Sequence, residues 1–143
     1  MTLRETIYQV FPKEGAPNYK LSDAIIADDY GDSSCAFEEK WVSWDEIENW
    51  QIAKTNGVFF SFAPRDVCAY LIPRFMIFTI DEHEGKLGEF ARLAASDCAG
   101  DYVALLEKKH FDYAGTNFTT SQIQVLKNFL DYVREIEDGR QQQ

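Results

Sequence analysis

Residues 58–80, VFFSFAPRDVCAYLIPRFMIFTI, form a nearly continuous apolar run punctuated by Pro64 and Pro73. Between Val67 and Ile80 only Arg74 and Thr79 are clearly polar. A surface helix carries polar residues on every turn, so this segment is expected to be enclosed by protein on all sides. Pro64 suits a first helical turn, where its missing amide has no partner, and opens a predicted helix through about Ile72. Pro73 withholds a donor from the Ala69 carbonyl and disfavours helical geometry at Ile72, which predicts a kink or a division into two helices. Arg74 is the charge expected to be pulled inward and met by a carboxylate or by backbone carbonyls.

Amphipathic segments flank this run. Thr2 and Glu5 fit a capping box, Leu3, Ile7, Val10 and Phe11 share one helical face, and Pro12 stops that helix. Ser22 is a cap candidate for a short helix through Ala24, Ile25, Ile26 and Ala27 that Gly31 ends. Ser43 with Glu46 repeats the capping box, and Val42 is spaced to staple against Ile47. A helix is therefore predicted over 44–55, with Trp44, Ile47 and Trp50 on one face. Asn56-Gly57 ends it and is also a hairpin signal, so a short strand over 58–62 is the alternative to helix there.

Further on, 81–85 is polar and predicted to turn, and Leu87, Phe90, Ala91 and Ala94 suggest a helix ending near Ser96. A short helix is predicted over 102–109, with Asp101 as cap candidate and Lys108, Lys109 and His110 at its negative end. Phe118 and Ile123 bracket Thr119 and Gln122 as staple and capping box. The helix beyond aligns Ile123, Leu126, Phe129, Leu130, Val133 and Ile136 on one stripe. No repeat or linker divides the chain. The expected fold is all-α: a single compact domain of six to eight helices over 1–137, around a proline-interrupted buried helix pair with the last helix packed across it. Residues 138–143 are expected to fray.

Composition adds limits to this pattern. At 143 residues the chain is of one-domain size and buries roughly 68 to 70% of its unfolded surface. Three tryptophans, seven tyrosines and eleven phenylalanines give the core bulky material. The opening MTLRETIYQV lacks a basic region followed by an apolar stretch, so no secretory signal is expected. Although 58–80 is long enough to cross a bilayer, Arg65, Asp66 and Arg74 oppose it, each costing about 2.5 to 3.5 kcal/mol near a membrane centre. Cys35, Cys68 and Cys98 are odd in number and widely spaced, which favours neither disulfides nor zinc. A reducing cytoplasm is the expected location.

The formal net charge is −10. Asp23, Asp28, Asp29, Asp32, Glu38 and Glu39 precede the first base of their stretch, Lys40, and six further acids fall within 81–101 against Lys86 and Arg92. Phosphate binding needs clustered Lys and Arg, so nucleic acid is not an expected ligand. A basic protein partner is, with a merely solvated, solubilising surface as the alternative.

Candidate chemistry is sparse. Asp28, Asp29 and Asp32 surround Gly31, as a hard cation would require, but they lack EF-hand spacing and are equally explained by a solvated helix end. His83 lies among Asp81, Glu82 and Glu84, yet neither it nor His110 stands in a metallohydrolase spacing, so no metal or cofactor is expected. Ser61 has no nucleophile elbow around it, and Cys68 fits a buried hydrophobe. Trp41, Trp44 and Trp50 at helical spacing suit core or interface better than a ligand platform.

Trp50, Phe62 with Pro64, the Tyr-Leu-x-Pro of Tyr70 to Pro73, and the Phe-Thr-x-x-Gln of Phe118 to Gln122 together resemble an uncharacterised family of bacterial domains. The resemblance implies a helical fold and brings no activity, cofactor or catalytic residue; residues 12–40 lie outside it.

The leading functional expectation is a small acidic cytoplasmic module, of immunity-protein or antitoxin type, that binds a basic partner through Asp23, Asp28, Asp29, Asp32, Glu38 and Glu39 with Trp41 or Trp44 as anchor. No catalytic residue is expected, and an enzyme is the less favoured class. The alternative is an enzyme or small-ligand protein with an anion pocket at the Pro73 break, lined by Asp66, Tyr70 and Arg74.

Overall fold

In a computed structural model that describes residues 1–28, 31, 36–55, 58–88, 98–113 and 116–141, the chain is all-α. Its helices are α1 (Leu3–Val10), α2 (Leu21–Asp28), α3 (Asn49–Thr55), α4 (Phe59–Phe62), α5 (Arg65–His83), α6 (Cys98–Lys108) and α7 (Thr120–Gln141), with a 3-10 turn at Trp44–Glu46 before α3. No strand occurs among the described residues, and α4 occupies the stretch where one was the alternative.

The apolar run does divide at a proline, but at Pro64 rather than Pro73. Pro64 takes an extended conformation as N-cap of α5 and separates it from α4. The expected kink or break at Pro73 is corrected: α5 runs through that residue without interruption, and 81–83, expected to turn, are its last residues. An internal proline costs about 3 kcal/mol. Leu71, Ile72, Phe75, Met76, Ile77, Phe78 and Ile80 are all buried around it. At about 1.5 to 3 kcal/mol for each such side chain, burial outweighs the proline several-fold. Gly85, at φ 74°, then ends α5, as its N–H bonds to the Glu82 carbonyl and that of Lys86 to the Asp81 carbonyl at 2.8 Å.

α1, α3 and α6 close around α5. α1 packs on α5 and α7, α6 on α5 and α7, and α2 on α3 and α4. The last helix thus packs chiefly on α1 and α6 instead of directly across α5. Thr2 caps α1 by accepting the Glu5 N–H at 3.1 Å. The expected box at α7 is complete: Thr119 Oγ1 accepts the Gln122 N–H at 3.1 Å, and Gln122 Oε1 accepts the Thr119 N–H at 2.9 Å. Gln122 Nε2 also donates to the Val10 carbonyl at 3.1 Å, which ties the start of α7 to the end of α1. Between α4 and α6, Phe60 stacks on Tyr102 with ring centroids 4.4 Å apart.

Two local expectations are corrected. α6 begins at Cys98, so Asp101 lies in its first turn and is not its cap. At its other end His110 adopts φ 55° while the Phe111 N–H bonds to the Leu106 carbonyl at 2.7 Å, a left-handed helix stop made without glycine. The helix expected over 44–55 is broken: Ile47 is extended, with ψ 131°, and divides the 3-10 turn from α3. Ser43 makes no cap, because its hydroxyl donates to Asp45 Oδ1 at 2.6 Å. The staple fails with it, since Val42 is 71% exposed and Ile47 is buried. Of the helix expected near 87–96 only Leu87, which is buried, and Gly88 are described; its remaining residues, the Asn56-Gly57 pair and Cys35 lie outside the described residues.

Candidate functional site

Segments 38–41 and 46–51 face each other across an open cleft of about 370 Å³. Glu38, Lys40 and Trp41 line one side, and Glu46, Glu48, Trp50 and Gln51 the other. Both sides are bonded to the helical body.

The first side hangs on Glu39. Its Oε1 accepts the Leu21 N–H and the Trp41 Nε1–H, both at 2.9 Å; its Oε2 accepts the Ser22 N–H at 2.9 Å and the Ser22 hydroxyl at 2.8 Å. Glu39 therefore caps α2 from a distant part of the chain, placing a carboxylate where unpaired amides and the helix dipole favour one. Ser22, expected to be the cap, lies inside α2 and receives that carboxylate instead. Lys20 donates from Nζ to the Trp41 carbonyl at 2.9 Å and lies 3.9 Å from the centre of the Trp41 ring.

The second side hangs on α5. Tyr70 accepts the Trp44 N–H at 3.1 Å and donates its hydroxyl hydrogen to the Lys13 carbonyl at 2.6 Å. One turn later Arg74, 6% exposed, donates from Nε to the Ile47 carbonyl at 2.9 Å and from Nη2 to Asn49 Oδ1 at 2.6 Å. Burial pulls the Arg74 pKa below its ordinary value, against the opposing fields of Tyr8, Asp81 and Asp45. Arg74 is thus drawn inward as expected, but of the expected carboxylate or backbone carbonyls it meets one backbone carbonyl, that of Ile47, and its second acceptor is the Asn49 carboxamide. Glu48 starts α3: its carbonyl accepts the Ile52 N–H at 3.2 Å, and its own N–H bonds to Gln51 Oε1 at 3.0 Å. Trp50, half-buried, donates its indole N–H to Glu48 Oε2 at 2.5 Å and meets Phe37 edge-on with centroids 5.1 Å apart.

The expected partner-facing residues separate into groups. Glu38 is exposed at the cleft, with Lys40 at 3.6 Å. Asp28 is exposed at the end of α2, and Asp29 and Asp32 lie outside the described residues. Asp23 and Glu39 are turned onto the protein, Asp23 Oδ2 accepting the Lys20 N–H at 2.7 Å. Trp44 is fully buried and Trp41 4% exposed, so neither ring stands free as an anchor.

The alternative set, Asp66, Tyr70 and Arg74, follows one face of α5 at intervals of four residues. Asp66 stays exposed at the helix start, while Tyr70 and Arg74 grip the 3-10 turn and the start of α3. With α5 continuous, the helix break on which that pocket depended does not form.

Sequence reasoning missed Glu46, Glu48 and Gln51 as cleft residues and placed Trp50 on a core face. The signal available was Glu48-x-x-Gln51, a weak start pair hidden behind the stronger Ser43-x-x-Glu46. Among the described residues no three His, Cys, Asp or Glu side chains converge as metal ligands, and no helix is long and apolar enough to cross a membrane.

No protein-family model matches the chain, and neither a curated protein nor a solved structure matches it.

Proposed function

We propose that the protein is a small acidic binding module that takes a basic segment of a partner protein into the cleft between 38–41 and 46–51, as an immunity protein or antitoxin inhibiting that partner in the cytoplasm would. The convergence of Glu38, Glu46 and Glu48 on a cleft in which the half-buried Trp50 offers the accessible ring carries this reading. Carboxylates beside the Trp50 ring suit a lysine or arginine side chain, whose cation meets the charge and whose stem meets the ring. The net charge of −10 steers such a partner inward. Walls already bonded to α2 and α5 lose little freedom on binding. The bacterial family that the Tyr70–Pro73 and Phe118–Gln122 motifs resemble belongs to this reading as a fold relative only.

Calorimetric titration with an oligo-lysine peptide at low salt tests the proposal. Saturable binding is expected, weakened about tenfold when Glu46 and Glu48 both become glutamine, and unchanged in Asp28→Asn. Equal binding by the cleft variant, or an equal loss in Asp28→Asn, would show that diffuse surface charge is responsible.

A further inference from the structure

We propose that Arg74 is a positioning residue for the cleft: through the backbone on either side of Glu48 it holds that carboxylate toward a bound basic side chain. This rests on the cleft being the binding site. Ile47, Glu48 and Asn49 follow one another where the 3-10 turn gives way to α3. The Ile47 carbonyl and the Asn49 carboxamide both point inward to the same guanidinium, at 2.9 and 2.6 Å. Glu48, between them, is exposed and lines the cleft. Its two neighbours are thus held inward by one planar group, and the residue between them is left to face out.

The chemistry of Arg74 fits this role better than that of a simple core filler. A guanidinium that is 6% exposed bears a desolvation cost that a methionine of similar length avoids. Among the described residues it receives no direct carboxylate in return, and its Nη1 has no hydrogen-bond partner there. What it supplies is direction, because two donors fixed in one plane reach two acceptors that flank a single residue. Tyr70, one turn earlier on α5, holds the Trp44 N–H at the start of the 3-10 turn, so Glu46 as well as Glu48 lies within a span gripped from α5. Geometry held by packed neighbours is what gives charged contacts their selectivity.

A double-mutant cycle between Asn49→Ala and Glu48→Gln tests the assignment, read by oligo-lysine affinity and, in parallel, by the urea unfolding midpoint. Asn49→Ala removes one of the two acceptors and leaves the guanidinium in place, so the chain keeps its core. With Glu48 present, Asn49→Ala is expected to weaken binding roughly three- to tenfold; in the Glu48→Gln background it is expected to change nothing. Arg74→Lys, which keeps the charge but loses the planar fork, should follow Asn49→Ala in both backgrounds. Equal losses with and without Glu48 would make the contact merely structural and overturn the proposal, as would full affinity in Asn49→Ala. Absence of oligo-lysine binding by the unmodified protein would instead remove the functional reading of the cleft, and the positioning role with it.

Discussion

Glu39 accepts four hydrogen bonds, two from backbone amides at the start of α2, one from the Ser22 hydroxyl and one from the Trp41 indole. Hydrogen bonds to a charged acceptor contribute about 1.5 to 3 kcal/mol each, and donors left unpaired are costly. Glu39→Ala is therefore expected to lower unfolding stability by about 2 to 3 kcal/mol, and Glu39→Gln, which keeps one acceptor oxygen, by about half as much. Urea unfolding measures both, and a loss under about 0.5 kcal/mol for the alanine variant would contradict the capping role. Nothing in the sequence distinguishes Glu39 from Glu38, one residue earlier, which faces the cleft. The difference arises from where α2 begins in space, and local pattern does not carry that information. Arg74 was legible for the opposite reason: a lone cation inside an apolar run has to be met by acceptors wherever the chain goes.

At the scale of elements, what the sequence revealed were interactions that close within a few residues. The Thr119 and Gln122 box is such a case, since both partners sit in one turn. The second use of Gln122, its bond to the Val10 carbonyl, spans almost the whole chain and has no sequence signal. Gln122→Ala should therefore cost more than an ordinary cap, about 1 to 2 kcal/mol, whereas Thr119→Ala should cost about 1 kcal/mol. Equal losses in thermal unfolding of the two variants would show that the bond to α1 contributes nothing. Pro73 and Ile47 depart from local pattern for a common reason. Local rules break a helix at Pro73 and continue one through Ile47. The surroundings reverse both, because burial of 71–80 sustains the first and Arg74, reaching across from α5, breaks the second.

For the whole molecule, the all-α architecture followed from helical spacing and caps, but the cleft did not, because it is formed between two segments whose walls are fixed by long-range bonds to α2 and α5. Acidic character alone pointed to a stretch of chain, and folding then turned Asp23 and Glu39 inward while bringing Glu46 and Glu48 from a different segment to face Glu38. Amide chemical shifts followed during titration with an oligo-lysine peptide test this arrangement most directly. The expected result is a set of saturable shifts concentrated at 38–41 and 46–51, accompanied by the Trp50 indole N–H. Shifts spread evenly over the acidic surface, or centred on the end of α2 or on 81–84, would contradict a formed cation-binding cleft.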